Sequence, residues 1–578
     1  MTSPQGQRSR IDWATLRESV RAQGQGSVMN GAMARGSARV QGQRSGMNWA
    51  TARGSVRVQG QRSGRNWTTE RGSARASVLL LSSFSLLRLL IQFAGINNYG
   101  WFRDELYYMA CGEHLAWGYV DQPPLIALIS WFARHVFGNS MFDVRLLPAL
   151  AGAAVVFLAG WIARALGGGF FAQFLAALTA LFAPAYLAFN SFLSMNAFEP
   201  LFWTSCALIV IHLAKGGSPA WWVVFGAVAG IGLENKHTML VFGFAIVAGL
   251  LISDQRRLLY SNWILVGGVL ALALFLPNLI WEARHGWPQI QVVRAGQEYK
   301  NYPVGPLRFV FEQILYLQPV QLPVWLAGLA WFFAAPEGKR FGFFGWAYLI
   351  VMAIFIMLQG KTYYPLPIYA ILMAAGGVAV ERLLFGAQRR WIAWAYCALI
   401  VIAGIVSVPF GVPLLPADTF LRYSQILPYS HAVKMERDAT VALPQLYADM
   451  FGWDNMAAMV ARVYYTLPEA DQQNCAILAG NYGEAGAIDY YGPALGLPKA
   501  ISGHNNYYLW GPRGYSGDCV ILFGESADRY ASLFGEARLV ATITDPYAMP
   551  SEKGVHVYIC RKPSAPLAIL WPNFRLLI

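Results

Sequence analysis

Asp104 and Glu105 stand side by side in the stretch YGWFRDELYYMACGEHLAWGYVDQPPL (Tyr99 to Leu125), directly after the strongly apolar segment Val78 to Ile96. Adjacent carboxylates beside so apolar a segment are costly to keep, which marks them as a functional pair. One such carboxylate can take the proton of a hydroxyl. Its neighbour can orient the incoming molecule, assist as a second carboxylate, or share a divalent cation. Four cations complete the set: Lys361, in QGKTYYPLP, with Lys236, Arg145 and Arg284, each near the end of an apolar run. Cations so placed can hold a phosphate at a membrane interface. A phosphate whose charge is held is already a competent leaving group, so the remaining need is a base for the attacking hydroxyl, and Asp104 is read as that base. Asp121, Glu199 and Tyr363 are the candidates for gripping the rest of the reacting molecules.

The elements that must position these residues are membrane spans. Of 578 residues, 56% are hydrophobic and only 13% charged, with 21 tryptophans, which excludes an ordinary soluble enzyme. The formal charge of +13 is concentrated at the start: residues 1–77 carry thirteen arginines against Asp12, Glu18 and Glu70. A basic tail ahead of a first span is an orientation signal, and no nucleic-acid partner is expected. QGQRSGMNWATARGSVRV (Gln41 to Val58) recurs as QGQRSGRNWTTERGSARA (Gln59 to Ala76), with QGQRSRIDWATLR at Gln5 an earlier copy. These Gly-, Ser-, Gln- and Arg-rich repeats are too polar to build a core, so 1–77 is expected to be a disordered basic tail.

Apolar runs follow at 78–96, 145–163, 171–190, 197–214, 220–233, 238–253, 262–280, 314–334, 341–358, 364–384 and 391–410. Eleven spans put the tail, Arg164, Lys215, Arg256, Arg257, Lys339, Arg340, Arg382, Arg389 and Arg390 on one side, the cytoplasmic one. Asp104, Glu105 and Lys361 then face out, as does everything beyond 410. Pro123 to Gly138 is apolar but short and is expected to lie along the outer interface. Residues 411–578 alternate β-rich runs such as CAILAG, CVILFG and VHVYIC with helical patterns, a small extracytoplasmic α/β domain with a largely parallel sheet. GNYGEAG (Gly480 to Gly486) departs from the GxGxxG pattern and reads as a structural turn. Cys475 and Cys519 each precede a strand of this domain, so either a disulfide or two thiols fits there, with Cys560 free. No cysteine or histidine spacing suggests a zinc site, and no cofactor is expected with certainty.

FRDELYY at 102, NSFLSMNAFEPLFW at 190, GLENKHTML at 232, PNLIWEARHGWP at 277, GKTYYPLPIYA at 360 and NYGEAGAIDYYGP at 481 resemble, in that order, segments of glycosyltransferase family 39, the protein O-mannosyltransferase and aminoarabinose-transferase group. The resemblance spans nearly everything after residue 78. It implies a polytopic α-helical GT-C fold of an inner-membrane protein. It also implies an extracytoplasmic active site, a polyprenyl-phosphate sugar donor, and a glycolipid of lipid A type, a protein or an envelope glycan as acceptor. The large insert of eukaryotic mannosyltransferases is missing, and the first loop carries Asp-Glu where aminoarabinose transferases have a lone acid. Both acceptor classes stay open. Adjacent carboxylates seldom flank one anomeric carbon from opposite faces, so inversion is expected rather than a covalent intermediate. A transporter or flippase of a polyprenyl-linked sugar is the alternative, although transporters place their ionisable residues near the bilayer midplane on related repeats. A silent scaffold is a third reading, against which the intact Asp104 and Glu105 stand.

Overall fold

The computed structural model describes residues 67–300, 303–426 and 443–578. The basic repeats up to residue 66, and with them most of the expected tail, lie outside the described residues. From Trp67 to Phe410 the described residues are predominantly helical, and a five-stranded sheet follows near the end of the chain. The first helix, α1 (Trp67–Ala94), begins ten residues before the expected end of the tail, because the apolar run from Val78 propagates helix back into the preceding turns.

The first loop follows α1 and contains a short buried helix, α2 (Arg103–Glu113), then an amphipathic one, α3 (Leu125–Val136). Next come α4 (Met141–Ala165), α5 (Phe170–Leu181), α6 (Pro184–Phe189), α7 (Met195–Ala214), α8 (Trp221–Asn235), α9 (Thr238–Ile252) and α10 (Asn262–Arg284). The last apolar helices are α11 (Pro306–Tyr316), α12 (Leu322–Ala334), α13 (Gly342–Met357), α14 (Tyr369–Gly386) and α15 (Arg390–Ser407).

Every one of the eleven apolar runs is helical, but they differ in length. By length and composition, six helices among the described residues can cross a membrane, or seven if α11 and α12, bent by 97°, count as one span. The remaining runs are short for identifiable reasons. Pro184 stops the run at 171–190 after α5 and restarts it as the first residue of α6. Arg88 of α1 donates to the Leu181 carbonyl left over at that break and to Asn190 Oδ1, so the interruption is satisfied from inside. The run at 220–253 is two helices, parted where Lys236 adopts an extended backbone.

Beyond Phe410 the sheet is built from β1 (Ala476–Ala479), β2 (Ile501–Ser502), β3 (Val520–Phe523), β4 (Phe534–Ile543) and β5 (Val555–Pro563), in the order β2-β1-β3-β5-β4. It is mixed rather than largely parallel: β1 runs parallel to β2 and β3, while β5 is antiparallel to both β3 and β4. Strands β4 and β5 are joined by a loop too short for a crossover helix, which forces the antiparallel pairing. Cys475 and Cys519, immediately ahead of the paired β1 and β3, form a disulfide, and Cys560 is free and buried. Helices α16 (Trp453–Tyr464) and α17 (Tyr482–Tyr491) cover one face of the sheet and join α2 in a continuous core. The first loop is thereby clamped between the helical bundle and the sheet.

Candidate active site

The two adjacent carboxylates have opposite surroundings. Glu105 is fully buried, and each of its oxygens is engaged. Oε1 accepts from the Leu193 amide at 2.8 Å and from Arg145 Nε at 3.0 Å. Oε2 accepts from Arg145 Nη2 at 2.6 Å and from the Phe102 amide at 2.9 Å, which also caps α2. The Arg145 guanidinium spends its other donors on the carbonyls of Ile96 and Gly100. Arg145 is therefore committed to Glu105 and to the loop backbone. Arg145, expected among the phosphate cations, is thus engaged inside the protein, and both oxygens of Glu105 accept hydrogen bonds. The pair fixes three segments to one another: the loop ahead of α2, the start of α4, and the loop ahead of α7.

Asp104, one position earlier on α2, points the other way. Its side chain is 30% exposed. Oδ1 accepts from the Tyr482 hydroxyl at 2.9 Å, and Arg103 Nε lies 3.9 Å from the same oxygen. Among the described residues, Oδ2 has no hydrogen-bond donor, which leaves it open as a base. Asp121 shares this environment: Tyr107 donates to its Oδ1 at 2.8 Å, and the Tyr107 and Tyr482 rings pack with centroids 4.6 Å apart. Asn506 holds the Asp121 loop by accepting from the Val120 amide at 2.7 Å. Burial, together with the Asp104 and Asp121 carboxylates and against the opposing Arg103, pushes the Tyr482 phenol well above its ordinary value. It therefore stays a donor.

The turn that carries Tyr482 is structural, as its sequence implies. Asn481 caps α17, and the side chain of Glu484 occupies the turn, accepting from the amides of Asn481 and Glu525 at 3.0 and 2.9 Å. A carboxylate already sits where a phosphate would have to bind. The glycines serve contact with α2: a Cβ at Gly483 would stand 2.5 Å from Arg103 Cγ, and one at Gly486 would stand 2.9 Å from the Leu106 backbone. Only glycine lets α17 approach closely enough for Tyr482 to reach Asp104.

A second cluster gathers at the breaks between helices. Lys236 donates to Asn196 Oδ1 at 2.8 Å and to Glu199 Oε2 at 3.0 Å, and its Nζ lies 4.4 Å from the centre of the Tyr364 ring and 5.7 Å from that of Tyr363. Lys361 Nζ lies 5.9 Å from the Tyr363 ring centre, and no carboxylate among the described residues stands within ion-pair distance of it. Glu199 also accepts from the Thr238 hydroxyl. Both expected lysines, Glu199 and Tyr363 thus come together. Arg284 does not join them. It is exposed at the end of α10.

The two clusters are joined by short tethers. Leu193 binds Glu105, and three residues later Asn196 binds Lys236. Asn278 of α10 donates to the Trp117 carbonyl of the first loop and faces the ring of His237, next to Lys236. Sequence reasoning missed three supporting residues. Tyr482 and Asn506 lie almost 400 positions from the carboxylates they serve. Buried Glu312 accepts from Thr362 at 2.6 Å and from Arg308 at 2.9 Å, anchoring the turn beside Lys361. Its signal, a lone acid in an apolar helix, was present in FVFEQILY. Among the described residues no group of three His, Cys, Asp or Glu could hold a metal ion.

A family model described as dolichyl-phosphate-mannose-protein mannosyltransferase matches residues 121–281. That span includes Asp121, Arg145, Glu199 and Lys236 and excludes Asp104 and Lys361. The lipid A galacturonosyltransferase RgtD of Rhizobium johnstonii is 22% identical over 468 residues, 74% of this chain and 89% of its own. The structure of ArnT from Cupriavidus metallidurans bound to undecaprenyl phosphate matches at a TM-score of 0.54 and 15% identity, over 82% of this chain and 97% of that one. The apo form of the same protein matches at 0.54 and 14% identity, over 84% and 98%.

Proposed function

As a membrane glycosyltransferase of GT-C fold and family 39 type, the chain, we propose, moves a sugar from a polyprenyl-phosphate donor to a hydroxyl of an extracytoplasmic glycolipid, with inversion. The carrying observation is the asymmetry of the carboxylate pair. Glu105 is sealed in a buried ion pair, while Asp104 offers an unengaged oxygen at a partly open surface. Asp104 Oδ2 accepts the proton of the acceptor hydroxyl. The acceptor oxygen forms its bond to the anomeric carbon as the bond from that carbon to the phosphate oxygen breaks, and the polyprenyl phosphate departs with the electron pair. Glu105 cannot serve as a nucleophile from its buried position, so a retaining pair made with Asp104 has no second member.

The lysine cluster supplies the phosphate clamp. Glu199 already balances Lys236, and Lys361 adds beside it a positive charge with no carboxylate partner among the described residues. The donor's phosphodiester carries a single negative charge, and the released monoester gains more. A cation that is under-satisfied before the reaction binds the leaving group more strongly than the donor, which is the differential binding that accelerates transfer. Asp121 and Tyr363, each beside one of the clusters, are placed to grip sugar or acceptor. The glycolipid acceptor is favoured by the likeness to RgtD, whose name specifies lipid A.

The test uses purified protein in liposomes with undecaprenyl-phosphate-linked galacturonic acid, aminoarabinose or mannose as donors and lipid A as acceptor. A glycosylated lipid A whose new anomeric centre is opposite in configuration to the donor's supports the reading. Retained configuration, or no product from any donor, removes it.

A further inference from the structure

We infer that Tyr482, from the sheet-bearing C-terminal segment, is a positioning residue for the transfer reaction: its hydroxyl clamps Asp104 Oδ1 and so aims Oδ2 at the acceptor hydroxyl. This rests on the reading of Asp104 as the base. Four observations on the structure carry it. The bond itself, at 2.9 Å, has normal hydrogen-bond length and links residues 378 positions apart. The Tyr482 ring is held independently of that bond, against Tyr107 at 4.6 Å and His504 at 4.7 Å between centroids, with the Arg103 guanidinium 5.8 Å above it. The Tyr482 amide is fixed as well, 3.4 Å from His504 Nδ1. Finally, Gly483 and Gly486 remove the Cβ atoms that would push α17 off α2, a requirement the fold of the sheet alone does not impose.

A carboxylate on the first turn of a helix, with a third of its surface open, rotates about two side-chain bonds unless something holds it. Arg103 is too far for a hydrogen bond and already faces Asp449 Oδ1 at 3.6 Å. Tyr482 is therefore the group that selects one carboxylate orientation. A phenol does this without cancelling the charge, as an ammonium in the same place would. It also makes the reaction depend on docking of the C-terminal segment, because the bundle alone would leave Asp104 unrestrained.

The experiment is a double-mutant cycle in purified full-length protein, reading transfer from undecaprenyl-phosphate-linked sugar to lipid A. Tyr482→Phe keeps the ring and its packing and removes only the donor. Its kcat should fall roughly 10-fold, the size of one hydrogen bond to a charged group, with the KM values for donor and acceptor unchanged. In the Asp104→Asn background, where no base remains to be aimed, Tyr482→Phe should cost less than 2-fold in the residual rate (roughly additive sites would repeat the full loss). Tyr482→His, which can donate from a ring nitrogen, should recover part of the rate. An equal loss in both backgrounds, or a Tyr482→Phe enzyme as fast as the wild type, overturns the inference while leaving the proposed function standing. A wild type that transfers no sugar overturns both.

Discussion

At the scale of single residues, two neighbouring carboxylates have different surroundings: one faces a guanidinium and the other a phenol. The pairing of Glu105 with Arg145 is structural, and the consequence is measurable. Glu105→Gln leaves the Arg145 charge buried without a counterion, a change that costs about 3–5 kcal/mol. The variant should therefore show a large drop in thermal stability in detergent. Combining it with Arg145→Met should restore much of that stability. If Glu105→Gln melts like the wild type, the ion pair is not the anchor described here. Lys361→Ala should weaken binding of undecaprenyl phosphate about 10-fold, as loss of one charge-assisted contact implies, with insertion unaffected. An unchanged affinity in a direct binding measurement would assign the phosphate to other cations. The sequence made the Asp104-Glu105 pair conspicuous but could not divide its roles. A cation at the end of an apolar run reads the same whether it meets an incoming phosphate or an internal carboxylate, so Arg145 looked like a phosphate ligand. Its pairing with Glu105 across 40 residues, and the Leu193 amide on the same carboxylate, become visible only in the fold.

At the scale of elements, the turn between β1 and α17 holds a further buried pair. Glu484 is completely buried, and burial with the neighbouring Glu552 pushes its carboxyl well above the ordinary range. Burial likewise pushes Glu552 up to about 7, against hydrogen bonds from Asn481 and Glu484 and the more distant Arg103. In the unfolded chain such a carboxyl titrates near 4.3. The folded form therefore favours the proton, and the stabilisation is complete below about pH 4 and lost as pH rises through 7. Stability should fall by up to roughly 1.4 kcal/mol per pH unit across that window for one proton. Glu552→Gln, a neutral mimic, should flatten the melting temperature between pH 5 and 8, and an unaltered slope would locate the pH dependence elsewhere. The elements themselves were largely legible, since each apolar run is helical and β1, β3, β4 and β5 fall on the β-rich runs CAILAG, CVILFG, ARLVATI and VHVYIC. The sheet's mixed direction was not. The residues of β4 are exposed along most of their length, so hydrophobic patterning gave no cue to its pairing with β5. The break inside one apolar run was hidden for a related reason: hydropathy sees the run at 171–190 as continuous, and the carbonyl left over at Pro184 is satisfied by Arg88 of α1, a distant segment of the chain.

At the scale of the whole molecule, the proposed reactive surface lies where the first loop is held between the bundle and the sheet-bearing segment, and in that proposal the lipid phosphate reaches it from the bilayer. That requires Asp104 and the C-terminal sheet on the same, extracytoplasmic, side. The distribution of basic loops supports this orientation. A reporter active only outside the cytoplasm should work when fused after Pro413 and be silent after Arg257; the reverse pattern would put the carboxylates on the wrong side for a lipid-linked donor. The central claim, that Asp104 is the base of an inverting sugar transfer, is tested most directly by single-turnover transfer in liposomes preloaded with undecaprenyl-phosphate-linked sugar. Asp104→Asn should bind the donor as the wild type does and transfer it at least about 10²-fold more slowly, the contribution that general-base catalysis commonly makes. A near-normal rate from Asp104→Asn, with donor binding intact, would contradict it.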